Sequence, residues 1–165
     1  MGGDVEIRSE IGKGTSVRLL LRRSNVAAEA TAESLETAES GHAERILVVD
    51  DDHDVRGLMT SFLSEIGYVV HEADHGSAAL AMQKSVNPQL MIIDFSMPGT
   101  NGAEVVKAAR AVQPSLPVLF VSGYADSAAL EAATGTAPFL RKPFRPAELA
   151  SAVRTALDTN ASSNR

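Results

Sequence analysis

The sequence predicts a three-layer α/β fold, a five-stranded parallel sheet with helices on both faces, preceded by an orphan β-hairpin. Three observations carry this expectation. From Arg45 onward, short apolar runs alternate with segments whose apolar residues recur at helical spacing. That unit appears five times, which is the pattern of parallel strands joined by helical crossovers. Ahead of it, residues 4–21 alternate apolar and polar side chains with a period of two around a glycine-rich turn, as a hairpin does.

The elements follow in order. Val5 and Ile7 alternate with Asp4, Glu6 and Arg8, Gly12-Lys13-Gly14 supplies the turn, and Val17, Leu19 and Leu21 continue the alternation. A lone hairpin is marginal in water, so this piece needs a partner surface. Residues 24–44 are rich in Ala, Glu, Ser and Thr, with Val26 and Leu35 their only large aliphatics. They cannot bury enough apolar area to offset ordering entropy and read as a flexible linker. Ile46-Leu47-Val48-Val49 is wholly apolar, as expected of a strand covered on both faces. Val55, Leu58, Met59, Phe62, Leu63 and Ile66 then recur at helical spacing, with Asp52 as N-cap and Gly67 as stop. The remaining units are strand 68–73 with helix 77–86, strand 90–94 with helix 103–112, strand 117–122 with helix 126–133, and strand 138–141 with helix 146–157. The expected organisation is a hairpin at 1–23, a linker at 24–44, the α/β domain at 45–159 and a disordered tail at 160–165.

Composition removes several function classes. An apolar fraction of 44% supports a packed core, while 4% aromatic residues and no Trp leave little for a base-stacking surface. The net charge is −6 and no Lys/Arg block is present to neutralise phosphates, so neither nucleic acid nor an anionic membrane is an expected partner. Without cysteine there are no disulfides, thiolate metal sites or thiol nucleophiles. No apolar stretch approaches the roughly 18 residues of a membrane span, and the N-terminus lacks a signal-peptide layout. A cytoplasmic location is the expectation.

In open α/β sheets, ligands bind beyond the carboxyl ends of the strands. The first of the five strands ends in Asp50-Asp51-Asp52, the third in Asp94, the fourth in Ser122, and the fifth runs into Lys142. Singly, these are N-cap, loop and turn residues. Together they place several carboxylates, a hydroxyl and an ammonium around one crevice. Carboxylates so crowded repel unless a hard dication such as Mg²⁺ neutralises them. One of them can then attack phosphorus to form an acyl phosphate, with metal and lysine stabilising the transferring oxygens.

Ile46-Leu47-Val48-Val49-Asp50-Asp51-Asp52, Asp94-Phe95-Ser96-Met97-Pro98-Gly99-Thr100-Asn101-Gly102, Ser122-Gly123 and Lys142-Pro143-Phe144 closely resemble response-regulator receivers, as does Ala73-Asp74-His75-Gly76-Ser77-Ala78-Ala79-Leu80. The resemblance covers about residues 45–158. It implies a flavodoxin-like strand order 2-1-3-4-5 and two-component phosphorelay signalling. It makes Asp94 the phosphoacceptor, gives Asp51 to Mg²⁺ directly and Asp50 mainly through water, and adds the backbone carbonyl of Ser96. Lys142 is implied to pair with Asp94 or the phosphoryl group, with a cis bond to Pro143. Ser122 and Phe139 take the two coupled switch positions, where the family often has Thr and Tyr. With Phe139 the tyrosine hydroxyl is lost and packing alone separates the inward and outward rotamers. Tyr124, two residues beyond Ser122, is expected to slow hydrolysis of the phosphorylated Asp94.

Gly2 to Val17 resembles the last strands of a histidine-kinase ATPase domain. Gly12-Lys13-Gly14-Thr15 is not a P-loop, because the upstream glycine and the Gly-Lys-Ser/Thr ending are missing. The resemblance implies the C-terminal part of a hybrid sensor kinase, which lacks here the main ATP-contacting motifs and the phosphorylated histidine. Only self-phosphorylation from a donor and autodephosphorylation are expected of the chain itself. His53, His71 and His75 read as surface residues without a metal. The implied partner is a histidine-containing phosphotransfer protein or the kinase's own phosphohistidine domain, with homo-oligomerisation through the hairpin as a further expectation. The competing readings are a receiver-fold interaction module that is never phosphorylated and an aspartyl-phosphate hydrolase. The full set of Asp50, Asp51, Asp94, Ser122 and Lys142 weighs against the first. Phe95-Ser96 after Asp94 leaves the second without its general acid. A short polar C-terminal segment disfavours a DNA-binding output.

Overall fold

The computed structural model describes residues 3–21, 43–123 and 137–163. These fall in two compact units, each described by itself. In the first, β1 (Gly3–Glu10) pairs antiparallel with β2 (Gly14–Leu21). Gly12 and Gly14 both adopt positive φ, +80° and +94°, which explains the glycines of the turn. Val5 lies opposite Leu19 and Ile7 opposite Val17, so these four share one face, and each remains more than half exposed. Glu6 and Arg18 lie opposite each other on the polar face and form an ion pair of 3.5 Å.

The second unit is built on β3 (Arg45–Val49), α1 (His53–Glu65), β4 (Val69–Ala73), α2 (Gly76–Val86) and β5 (Leu90–Asp94). A short antiparallel pair follows, β6 (Ser96–Met97) and β7 (Thr100–Asn101), and then α3 (Gly102–Val112), β8 (Val118–Ser122), β9 (Phe139–Arg141) and α4 (Pro146–Ser163). The five sheet strands are parallel in the order β4-β3-β5-β8-β9, which is the expected 2-1-3-4-5.

Successive residues of a strand point to opposite faces, and here both faces are buried. Ile46, Val48, Ile92, Leu119 and Val121 pack with Met59 and Leu63 of α1 and Leu149 and Val153 of α4. Leu47, Val49, Met91, Ile93, Val118 and Phe120 pack with Ala79 of α2 and Val105, Val106 and Ala109 of α3. Hence strands that have no polar alternation still have a fixed register.

The capping signals act as read. Asp52 accepts from the backbone N–H groups of Asp54 and Val55, and Gly67 closes the helix end at φ +101°. Two features depart from expectation. The β6–β7 pair had no recognisable strand pattern; it is closed by Gly99 at φ +76°, and Asn101 caps α3 one residue earlier than predicted. The last helix continues past residue 157 to Ser163, so residues 160–163, expected in a disordered tail, are helical. Tyr124, the helix expected at 126–133 and nearly all of the linker lie outside the described residues.

Ile92 is fully buried at the centre of the sheet. Ile92→Ala is expected to lower stability by about 2–5 kcal/mol. A denaturant midpoint equal to that of the wild-type protein would contradict this packing.

Candidate functional site

The site is assembled by the ends of four strands. β3 and β5 are adjacent, so Asp50, just after β3, and Asp94, the last residue of β5, end up side by side. The main chain fixes each. The Asp50 N–H donates to the Ala73 carbonyl (3.2 Å), and Asp50 Oδ1 accepts from the Asp52 N–H (3.0 Å). Asp94 Oδ1 accepts from the Ser96 N–H (3.2 Å), while the Phe95 N–H donates to Val121 on β8 (2.8 Å). The Phe95 ring packs edge-on to Phe120, with ring centroids 6.2 Å apart.

Lys142 reaches in from the far edge. Its own N–H donates to the Ser122 carbonyl (2.8 Å), and its Nζ donates to Asp50 Oδ2 (2.8 Å) and Asp94 Oδ2 (3.1 Å). The Lys142–Pro143 peptide bond is cis, as the resemblance to receivers implied. Asp51 completes the group. One carboxylate oxygen from each of Asp50, Asp51 and Asp94 lies within 4.8 Å of the others. Asp50 and Asp94 are buried, and Asp51 is exposed at the mouth.

The electrostatics follow from that geometry. Burial pushes the Asp50 carboxyl above its ordinary value, against the pull of the Lys142 hydrogen bond and charge. Burial alone would lower Lys142, but its bonds to Asp50 and Asp94 outweigh it and hold the ammonium above its usual value. One ammonium faces three carboxylates. Convergent hard oxygen donors with surplus negative charge fit a divalent cation of the Mg²⁺ type.

Ser122 is buried at the end of β8, and its Oγ finds no hydrogen-bond partner among the described residues. Phe139, in β9 beside Phe120, is 43% exposed. Ser96 is exposed between Asp94 and the β6–β7 turn. His53 and His75 are exposed and His71 half-buried; among the described residues none joins a metal-ligating group.

Two residues escaped the sequence reading. A Cβ on Gly102 would overlap the Asp94 carbonyl oxygen and stand 3.1 Å from Phe95 Cα, so only glycine lets α3 start directly against the Asp94 loop. The signal was the glycine directly after a capping Asn. Arg56 was passed over on α1, although its spacing puts it in line with Met59 and Leu63, the helix's other buried residues.

Comparison with known proteins agrees with this geometry. The response regulator receiver domain profile matches residues 46–154. The sensor kinase CckA of Brucella abortus is 33% identical over 170 aligned residues, covering 95% of this chain and 18% of that protein. The DNA-binding response regulator MtrA of Mycolicibacterium smegmatis is 33% identical over 119 residues, covering 71% of this chain and 52% of that protein. Among solved structures, NtrX from Brucella abortus in complex with ATP superposes with a TM-score of 0.70 at 30% identity, covering 74% of this chain and 28% of that one. The chemotaxis protein CheY4 of Vibrio cholerae gives 0.64 at 30% identity, covering 69% of this chain and 98% of that one. The chain spans about half, or less, of the length of these curated relatives.

Two outcomes are expected. Because the folded protein holds the Asp50 proton more tightly than the unfolded chain does, raising pH removes a stabilising proton. In chelator, wild-type stability should therefore decline relative to Asp50→Asn as pH rises above about 4; parallel urea-denaturation curves across pH would refute this. Gly102→Ala should cost about 1–3 kcal/mol through forced backbone displacement, and a melting temperature at the wild-type value would show that α3 does not need the close approach.

Proposed function

The chain belongs to the response regulator receiver domain family, and on that premise we propose that it accepts a phosphoryl group from phosphohistidine onto Asp94. The observation that supports this best is the convergence of Asp50, Asp51 and Asp94 with the Lys142 ammonium at one end of the sheet.

The chemistry follows from the residues. An ionised Asp94 oxygen attacks phosphorus, the P–N bond to the donor imidazole breaks, and the imidazole leaves with that electron pair. Lys142 donates to Asp94 beforehand and to a phosphoryl oxygen afterwards. Ser122 Oγ, without a partner among the described residues, donates to another phosphoryl oxygen. Phe139 follows Ser122 by changing rotamer. Asp51, Asp94, the Ser96 carbonyl and, mainly through water, Asp50 would hold a Mg²⁺ ion, which would supply the remaining positive charge.

The parent protein on this reading is a hybrid sensor histidine kinase in the cytoplasm. An alignment covering 95% of the chain must extend past residues 46–154 into the hairpin, and the protein at its other side is a sensor kinase. The hairpin is then the end of the kinase's ATPase domain. The donor or acceptor is the kinase's own phosphohistidine domain or a separate phosphotransfer protein. No described helix is long and apolar enough to cross a membrane.

Incubation with acetyl phosphate and Mg²⁺ should add one phosphoryl mass to the intact protein and none to Asp94→Asn. Lys142→Met should slow the reaction by about 10²–10³-fold, the usual loss for one charge-stabilising donor. A wild-type protein that gains no mass would overturn the proposal and favour an interaction module that works without phosphorylation.

A further inference from the structure

Arg56 lies on the core-facing stripe of α1 and is 9% exposed, a costly place for a guanidinium that carries no part of the phosphoryl chemistry. Among the described residues its side chain makes three polar contacts, one on the acidic turn and one on each element flanking it. Nη1 donates to the main-chain carbonyl of Asp50 at 2.6 Å. Nη2 donates to Nδ1 of His53 at 3.2 Å, in the helix's first turn. Nε lies 3.5 Å from Glu72 Oε2 on β4, the edge strand that also accepts the Asp50 N–H through Ala73. One planar fork thus ties the peptide between Asp50 and Asp51 to α1 on one side and to β4 on the other.

We infer that Arg56 is a positioning residue for the divalent cation, holding the Asp50–Asp51 turn so that both carboxylates face Asp94. It touches no ligand oxygen itself. It acts on the main chain that carries two of them, as an outer-shell partner orients a metal ligand. The inference rests on the metal-binding reading of the site and assigns a residue that this reading leaves out.

A purely structural Arg56 behaves differently. Removing one partner of a buried polar network leaves the others unpaired and costs stability, so Arg56→Met lowers the melting temperature on either reading. A residue kept only for structure would leave the Mg²⁺ affinity of the folded protein unchanged. A positioning residue would weaken it.

The test is titration of the full chain with Mg²⁺ alone, followed by amide chemical shifts, for the wild-type protein, Arg56→Met and Arg56→Lys, with a melting temperature for each. Arg56→Met should raise the Mg²⁺ dissociation constant by about 10-fold or more, the usual penalty for losing an outer-shell partner. Arg56→Lys keeps one donor for the Asp50 carbonyl but loses the fork, and should fall between. Arg56→Met with a dissociation constant within twofold of wild type overturns the inference and leaves the metal site intact. If Arg56→Met does not fold, Arg56→Lys decides, and a constant equal to wild type overturns it. A wild-type protein that binds no Mg²⁺ overturns both the site and the inference.

Discussion

The structure depends on one electrostatic constraint: among the described residues, three carboxylates gather where a single ammonium meets them. Asp50 is wholly buried, and a buried carboxylate is expensive unless partnered. Its partners are one backbone N–H and Lys142, which must cross from beyond the far edge strand to reach it. Lys142 also serves Asp94, so its charge is divided between two acids. The fold thus holds an excess of negative charge at one end of its sheet. Convergent oxygens with surplus negative charge fit a group that brings positive charge to them.

The sheet explains how such a site can be held at all. In the order β4-β3-β5-β8-β9, the strand bearing Asp50 and the strand bearing Asp94 are neighbours, with β8 between Asp94 and β9. Both central strands are buried on both faces, so neither can slide to separate the carboxylates without disturbing a core. The two layers also divide the labour. α1 and α4 cover the face where Arg56 enters, while α3 covers the other and begins against the Asp94 main chain through Gly102. The acids are therefore fixed by packing that contains no acid.

Most of this was legible in the sequence because the signals are local or additive. Wholly apolar runs such as Leu90–Ile93 announce buried parallel strands, Asp52 and Gly67 announce helix ends, and the acids at strand ends acquire meaning once the strands are parallel. What escaped depends on contacts between segments distant in sequence or on very short pairing. The β6–β7 pair is two residues on each side, too short for a period. The need for glycine at 102 comes from the nearness of Asp94, which no spacing rule contains. Arg56 followed the apolar stripe of α1 but was ignored there, since its partners at Asp50 and Glu72 become neighbours only after folding. The continuation of α4 to Ser163 has no apolar signal beyond Leu157, and helix propagation from a docked segment carries it.

Ser122 shows why the resting arrangement is incomplete on the receiver reading. Among the described residues its buried hydroxyl has no partner, and a buried hydroxyl left unsatisfied costs on the order of 1–3 kcal/mol. An alanine would fill the position more cheaply. The hydroxyl makes physical sense if another state of the protein satisfies it, and a phosphoryl group on Asp94 adds acceptor oxygens beside β8. The gain from that bond would then help to draw Ser122 toward Asp94. Phe139, on the neighbouring strand with its ring partly in solvent, has apolar area to bury in response. If Phe139 and Ser122 are coupled as the proposed function has it, the absence of a hydroxyl on Phe139 leaves packing alone to set the balance between two positions of its ring.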